Sequence, residues 1–100
     1  SVIYRLGYRY AGSFKNSMRG LLSIGWARTA ACDGYQVMYA DNKNFTGAHT
    51  TTLNGNTNGG LDISVDQGKT WYAKVRCYKK VNGVTYYSAW GNVVSCYAAK

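Results

Sequence analysis

Side chains that could carry out acid–base or nucleophilic chemistry are few in this 100-residue sequence. It contains one histidine, His49, and its only acids are four aspartates. Glycoside hydrolysis needs two carboxylates across a cleft, whereas Asp62 and Asp66 lie close together on a predicted strand and its turn. A Ser/His/Asp arrangement would have to use His49, which lies in a threonine-rich segment typical of a protein surface. We therefore predict that the protein is not an enzyme and has no catalytic residues.

The three cysteines, Cys32, Cys77 and Cys96, lack the paired spacing of a metal site. A structural zinc ion needs four ligands at short paired spacings, which one histidine and three scattered cysteines do not supply. The polar turn 41–44 is not followed by the bidentate acid of a calcium loop. The sequence thus predicts neither a metal nor a cofactor. Its odd number of cysteines permits either one disulfide with a spare thiol or no disulfide.

The chain is strongly basic. Twelve lysines and arginines against four aspartates give a formal charge of +8. Such a surface favours anionic partners such as nucleic acid, anionic lipid or acidic wall polymers, although the same charge could simply keep an exported domain soluble. No apolar stretch reaches the 18 residues of a membrane span, so we expect none.

One predicted strand combines positive charges with aromatic rings on its outward face. Such a row can stack on sugar rings and pair with anionic groups. The alternative, which the sequence favours, is a solvated sheet face in which cationic stems lie over tyrosine rings. Gln36 and Met38 on a neighbouring strand are expected beside this row. Its members, the candidate ligand-binding residues, are Tyr72, Lys74, Arg76, Tyr78 and Lys80, with Tyr87 opposite Tyr78 across the hairpin.

The pattern of apolar residues predicts an all-β protein. Alternation of period two, many Thr, Val and Tyr residues and the absence of a helix signal indicate a seven-strand antiparallel β-sandwich in one domain, residues 1–100. Asn82 and Gly83 predict a type I′ hairpin turn, and residues 11–20 are predicted to be a loop. The predicted strands are 2–10, 21–26, 35–39, 46–53, 61–65, 71–80 and 84–97. The predicted core contains Leu22, Ile24, Trp26, Tyr35, Val37, Tyr39, Leu61, Ile63, Val65, Trp71, Ala73, Val75 and Cys77.

Segment 2–10 permits a second interpretation. Its apolar row, formed by Tyr4, Leu6, Tyr8 and Tyr10, could complete the sheet of a neighbouring subunit rather than its own. A strand added to another subunit's edge is held by main-chain hydrogen bonds and builds fibres. We favour the first strand of the domain itself and keep the assembly arm as the alternative.

Four motifs in order resemble the fibronectin type III domains of bacterial surface proteins. The resemblance covers residues 20–95, and Trp71 replaces the tyrosine that is usual at the corner of this fold. Because an indole N–H can donate but not accept, we expect the corner hydrogen bond in altered form. The motifs are Leu22-x-Ile24-x-Trp26, the segment Asp33 to Asp41 with Asn44-Phe45, Val65-x-x-Gly68-x-x-Trp71, and the hairpin from Lys69 to Trp90.

The resemblance implies a noncatalytic extracellular module that spaces, assembles or displays other parts of a surface protein or filament. Its partners would be neighbouring domains or identical subunits. Binding of anionic cell-wall or sugar polymers by the cationic tyrosine face is the alternative, and nucleic acid is the weaker one. The resemblance also places Cys32 near Cys77, which implies a possible disulfide between them. A Cys77–Cys96 bridge is not expected, because the hairpin register separates these residues by about 26 Å.

Overall fold

Two antiparallel sheets make up the regular structure of residues 11–100, the part of the chain that this computed structural model describes. The predicted strand 2–10 and the assembly residues Tyr4, Leu6, Tyr8 and Tyr10 lie outside the described residues. Within 11–100, no helix is long and apolar enough to cross a membrane. The strands are β1 (Ala11–Met18), β2 (Leu21–Trp26), β3 (Gly34–Ala40), β4 (His49–Asn54), β5 (Gly60–Ser64), β6 (Lys69–Val81), β7 (Val84–Tyr87) and β8 (Val94–Ala98).

The smaller sheet has the order β1-β2-β5 and the larger one the order β4-β3-β6, with β7 and β8 both paired to the remaining edge of β6. The all-β sandwich class is thereby confirmed. The predicted last strand, 84–97, is interrupted between β7 and β8 and therefore counts as two. The interruption stays close to β6, because the amide of Ser88 donates to the Cys77 carbonyl at 2.9 Å and that of Gly91 to the Val75 carbonyl at 3.0 Å.

The prediction of a loop over residues 11–20 is wrong, because most of this segment is strand β1. Its Gly, Ser and Asn residues are typical of turns. The pairing with β2 shifts register between Ala11 and Ser13 and between Asn16 and Met18, which disrupts the regular alternation. Among the large side chains of β1, only Phe14 packs against the buried core residues. Main-chain pairing to β2 therefore defines this strand more than its side chains do.

The core lies between the sheets and contains most of the residues predicted for it. Tyr39, Leu61 and Val65 are only partly buried and pack against its margin. Leu61 is on β5, an edge strand, which leaves one side of it uncovered. Among residues 11–100, the sequence missed four buried hydrophobic residues, Cys32, Ala40, Tyr78 and Ala98.

The two ends of the described segment, residues 11–100, lie at opposite ends of the sandwich. At one end, Ala11 pairs with Trp26, and the Trp26 ring lies 5.6 Å from the Tyr35 ring. Tyr35 in turn pairs with Cys77, near the C-terminal end of β6. Ala98 pairs with Lys69 at the start of β6. At about 3.3 Å per residue, Cys77 and Lys69 are separated by roughly 26 Å along β6, and so are the two ends of the described segment.

Candidate functional site

The outward face of β6 carries the predicted row of cations and aromatic rings. Pairing with β3 places Gln36 opposite Arg76 and Met38 opposite Lys74, as predicted. Asn82 and Gly83 both have positive φ, 51° and 78°, which is the backbone of the predicted I′ turn. This turn sets the register in which Tyr78 faces Tyr87, also as predicted.

Cations and rings alternate across this face. The Arg76 guanidinium carbon lies 3.9 Å from the Tyr87 ring centre and 4.4 Å from that of Trp90. The Lys74 ammonium lies 5.2 Å from the Trp90 ring centre and 4.3 Å from that of Phe45. The order is therefore Tyr87, Arg76, Trp90, Lys74, Phe45, and we call these five side chains the cation–ring ladder. Each such contact contributes about 0.5–1 kcal/mol at an exposed site.

Hydrogen bonds tie the ladder to two further strands. Arg76 Nε donates to Gln36 Oε1 at 2.8 Å, and Gln36 Nε2 donates to Thr52 Oγ1 at 3.0 Å. The chain of contacts thus runs from β6 through β3 to the edge strand β4. The bond to Gln36 restricts rotation of the guanidinium group, whose central carbon lies close to both ring centres.

The cations of this face are not paired with carboxylates in the described part of the chain. In residues 11–100, the ion pairs are those of Lys69 with Asp41 at 3.3 Å and with Asp66 at 3.7 Å, and neither involves Lys74, Arg76 or Lys80. The nearest acid in the contacts of this face is Asp33, whose carboxylate accepts the backbone amide of Lys80 at 2.7 Å. The face therefore lacks a carboxylate partner for its cations within the described residues.

Tyr78 belongs to the predicted outward row, but its ring is not open to solvent. Its side chain points outward, but it is only 3% exposed, because the ring lies over Gly34 and its hydroxyl donates to Asn54 Oδ1. A Cβ atom on Gly34 would collide with this ring and with the Leu53 carbonyl. Burial raises the pKa of Tyr78 above its ordinary value, and the charge of nearby Asp33 raises it further. Tyr78 is thus part of the sheet's packing.

The sequence did not assign a role to two members of the ladder, Phe45 and Trp90. Both lie in connections, outside the strands whose alternation reveals outward residues. Phe45 has a φ of 58°, in a turn where Asn42 Oδ1 accepts the amides of Asn44 and Thr46. Trp90 lies in the interruption between β7 and β8. Phe45 follows a polar turn in the sequence, whereas Trp90 fell inside the predicted strand 84–97. Only the fold shows which cations these two rings contact.

A groove of about 230 Å³ lies beside the ladder at the hairpin end of the sheet. Tyr87, which is 45% exposed, and Lys80 form one side of it. Amide and hydroxyl side chains supply most of the rest, namely Gln36, Thr52, Asn54 and Thr85, with Tyr78 beneath. The groove is therefore rich in hydrogen-bonding groups and adjoins an arginine with no carboxylate partner among residues 11–100.

A second depression, of about 330 Å³, lies between the sheets near Trp71. Its lining includes His49, Ser64 and Asp66, but His49 stacks on Tyr39 at 5.2 Å and, in the described part of the chain, is not hydrogen-bonded to the other two. The same region contains the altered corner, where Trp71 Nε1 donates to the Asp66 carbonyl at 3.0 Å. The predicted donor role of this indole is confirmed.

The structure brings two of the three cysteines together. Cys32 and Cys77 are buried and adjacent, but no disulfide joins them, so the bridge implied by the resemblance stays a prediction. Burial raises the pKa of the Cys32 thiol, and the neighbouring Cys77 raises it further. Cys96 pairs with Trp71, about 20 Å along β6 from Cys77, too far for a bridge. Across residues 11–100, no three His, Cys, Asp or Glu side chains cluster as a metal site would need.

Comparison with solved structures identifies this architecture. A crystal structure of the FN1–FN3 domains of chicken CNTN1 matches 94% of this chain with a TM-score of 0.76 and 16% sequence identity. The chain has the fibronectin type III fold. It spans 31% of the length of the CNTN1 chain. A myokine structure matches 88% of this chain and 92% of its own, with a TM-score of 0.68 and 9% identity. Neither a protein-family model nor a curated protein sequence matches the chain.

Sequence identities this low establish the fibronectin type III fold alone. The two likenesses do not extend to a surface location or to a ligand, and the resemblance to bacterial surface proteins stays a prediction.

Proposed function

We propose that this protein is a noncatalytic structural module that holds other parts of an extracellular protein or filament at a fixed separation. Its partners in this role are neighbouring domains or identical subunits on either side. The proposal combines the fibronectin type III fold with the placement of the two ends of the described chain.

The observation that carries the proposal is the opposite placement of those ends. The described segment begins at Ala11 beside Trp26 and ends beside Lys69, roughly 26 Å away along β6. Modules joined through opposite ends extend a chain, whereas modules with adjacent ends fold back on it. A rigid sandwich of this kind therefore adds a defined length to a protein.

The outer sheet face supports a mechanical role as well. The cation–ring ladder and the hydrogen bonds of Gln36 connect β4, β3, β6, β7 and the link after β7 by side chains. These contacts add to the main-chain pairing and resist separation of the strands. A module that bears load between neighbours benefits from such cross-strand connections.

The test is the shape of two copies joined head to tail, Lys100 of the first to Ser1 of the second. We expect small-angle scattering to show a maximum dimension at least about 25 Å greater than that of one copy. The control is the same pair joined through a 20-residue Gly/Ser linker, which behaves as a random coil and should give a broader distance distribution. A directly joined pair as compact as two folded-back modules would contradict the proposal.

A further inference from the structure

We propose that the groove beside the cation–ring ladder binds an acidic polysaccharide. The groove offers a lysine and several amide and hydroxyl groups, and the Arg76 guanidinium lies beside it, in contact with Gln36 and Tyr87 of its lining. Such a ligand carries an oxyanion for the cations and hydroxyl groups for the others. This binding function is separate from the spacing function proposed above.

The guanidinium group of Arg76 is held in one orientation, in which it can bind an anion. The ring centres of Tyr87 and Trp90 lie 3.9 and 4.4 Å from its central carbon, and Gln36 accepts the hydrogen bond from its Nε. Its Nη groups have no carboxylate partner among residues 11–100. A planar arginine held in this way binds carboxylate or sulfate through paired hydrogen bonds without losing much side-chain freedom.

A second and a third cation extend the site along the strand. Lys74 contacts the same Trp90 ring as Arg76, so the two positive groups lie within about 10 Å of each other. Lys80 lies on the other side of Arg76 and lines the groove itself. In the described part of the chain, neither ammonium group has an ion-pair partner. A polymer with repeated negative charges fits such a row better than a single small anion.

The groove favours a sugar over a nucleic acid. Its lining contains the Asn54 amide and the hydroxyls of Thr52, Thr85 and Tyr87, which suit the hydroxyl groups of a sugar. Stacking of bases needs a series of open rings. Here a cation lies over each of the three rings of the ladder, and Tyr87, the exposed one, carries Arg76 on one face. At about 230 Å³ the groove is small and open, as a surface site for one sugar unit would be.

Tryptophan fluorescence can follow the binding. Trp26 and Trp71 are buried at 7% and 6% exposure, so an added ligand at the ladder should act mainly on Trp90. The probes are a galacturonic acid hexamer, a sulfated oligosaccharide of equal length, a neutral galactose oligomer and a single-stranded DNA. We expect saturable binding of one or both acidic sugars, and a difference between them would show whether carboxylate or sulfate is preferred. The neutral oligomer should bind at least tenfold more weakly.

Matched charge variants locate the site. Arg76→Gln should raise the Kd of the acidic sugar about tenfold and Lys80→Gln about threefold, because each removes a charged hydrogen bond. Lys15→Gln removes the same charge from an exposed residue of β1 on the other sheet, and it should leave the Kd unchanged. Lys80 is exposed, so its variant keeps the test valid if Arg76→Gln does not fold. Equal effects of Lys15→Gln and Lys80→Gln, tighter binding of the DNA, or no saturable sugar binding would each overturn the proposal.

Discussion

The inward face of β6 packs against the opposite sheet, whereas its outward face is covered by side chains from its own sheet and from two connections. Trp71, Ala73, Val75 and Cys77 on the inward side are all nearly inaccessible to water. Lys74 and Arg76 on the outward side lie between aromatic rings. One strand is thus stabilised by the burial of apolar surface on one face and by cation–ring contacts on the other. Since burial of a large side chain contributes more than a surface cation–ring contact, the two faces should respond differently to substitution.

The largest effect is expected on the inward face. Trp71→Ala removes a buried ring and its hydrogen bond to the Asp66 carbonyl, and we expect a loss of about 3–5 kcal/mol in the free energy of unfolding. Tyr72→Ala, the next residue and on the outward face, should cost less than half as much. Urea unfolding of both variants measures the difference. Equal losses would show that the two faces contribute alike.

The next largest effect on stability is expected from a disulfide formed by Cys77, which lies at the end of the inward row. Refolding in oxidised glutathione should join Cys32 to Cys77, with glutathione disulfide taking up the two electrons and two protons as it is reduced to two thiols. The bridge would close a loop of roughly 45 residues and raise the free energy of unfolding by about 2–4 kcal/mol, because it restricts the unfolded chain.

Intact mass and thiol alkylation detect that bridge. The oxidised chain should be lighter by two hydrogen atoms and should retain one reactive thiol, Cys96. Cys96→Ser should gain the same stability on oxidation, and Cys32→Ser should gain none. Three alkylatable thiols after oxidative refolding would contradict the predicted pairing.

A steric test addresses the burial of Tyr78 on the outward face. Gly34→Ala should cost about 1–3 kcal/mol, because the new methyl group meets both the Tyr78 ring and a backbone carbonyl. Gly12→Ala is the matched control, since the nearest atom to a Cβ there is 3.9 Å away. Thermal unfolding compares the two. A Gly34→Ala variant as stable as the control would mean that the ring can move aside at little cost.

The cation–ring ladder should give a smaller effect. Trp90→Leu keeps an apolar side chain but removes the ring that separates Arg76 from Lys74, and we expect a loss of about 1 kcal/mol. Tyr97→Leu changes a ring that is 52% exposed on β8 and should be nearly neutral. If urea unfolding shows no difference between these variants, the ladder contributes nothing measurable to stability.

The smallest effect is confined to alkaline solution. Burial raises the pKa of Cys32, Cys96 and Tyr78 in the folded state above their ordinary values of 9.0, 9.0 and 10.0. The unfolded chain then loses these protons first, so stability is constant at neutral pH and falls as the pH rises above about 9. Urea midpoints from about pH 7 to pH 10.5 measure the fall, and Cys32→Ala should reduce it. A midpoint that rises over this range would contradict the sign.

The inward face could be predicted because its signal is local. Alternation of apolar residues with period two requires only that a strand bury one side, so Trp71, Ala73, Val75 and Cys77 were identified without knowledge of their neighbours. The hairpin register followed in the same way, since Asn82-Gly83 has an intrinsic preference for the I′ backbone. Strand β1 was missed, because its polar residues and register shifts remove that alternation.

The sequence by itself determined the all-β class, the sandwich core, the hairpin and the outward direction of Lys74 and Arg76, because backbone preference and the period of two act over a few neighbouring residues. Only the tertiary structure decided what those cations contact. Phe45 and Trp90 come from connections distant in sequence, and Tyr78 is buried because strand pairing places Gly34 beneath its ring. Contacts of this kind depend on the relative position of several strands, which no local pattern specifies.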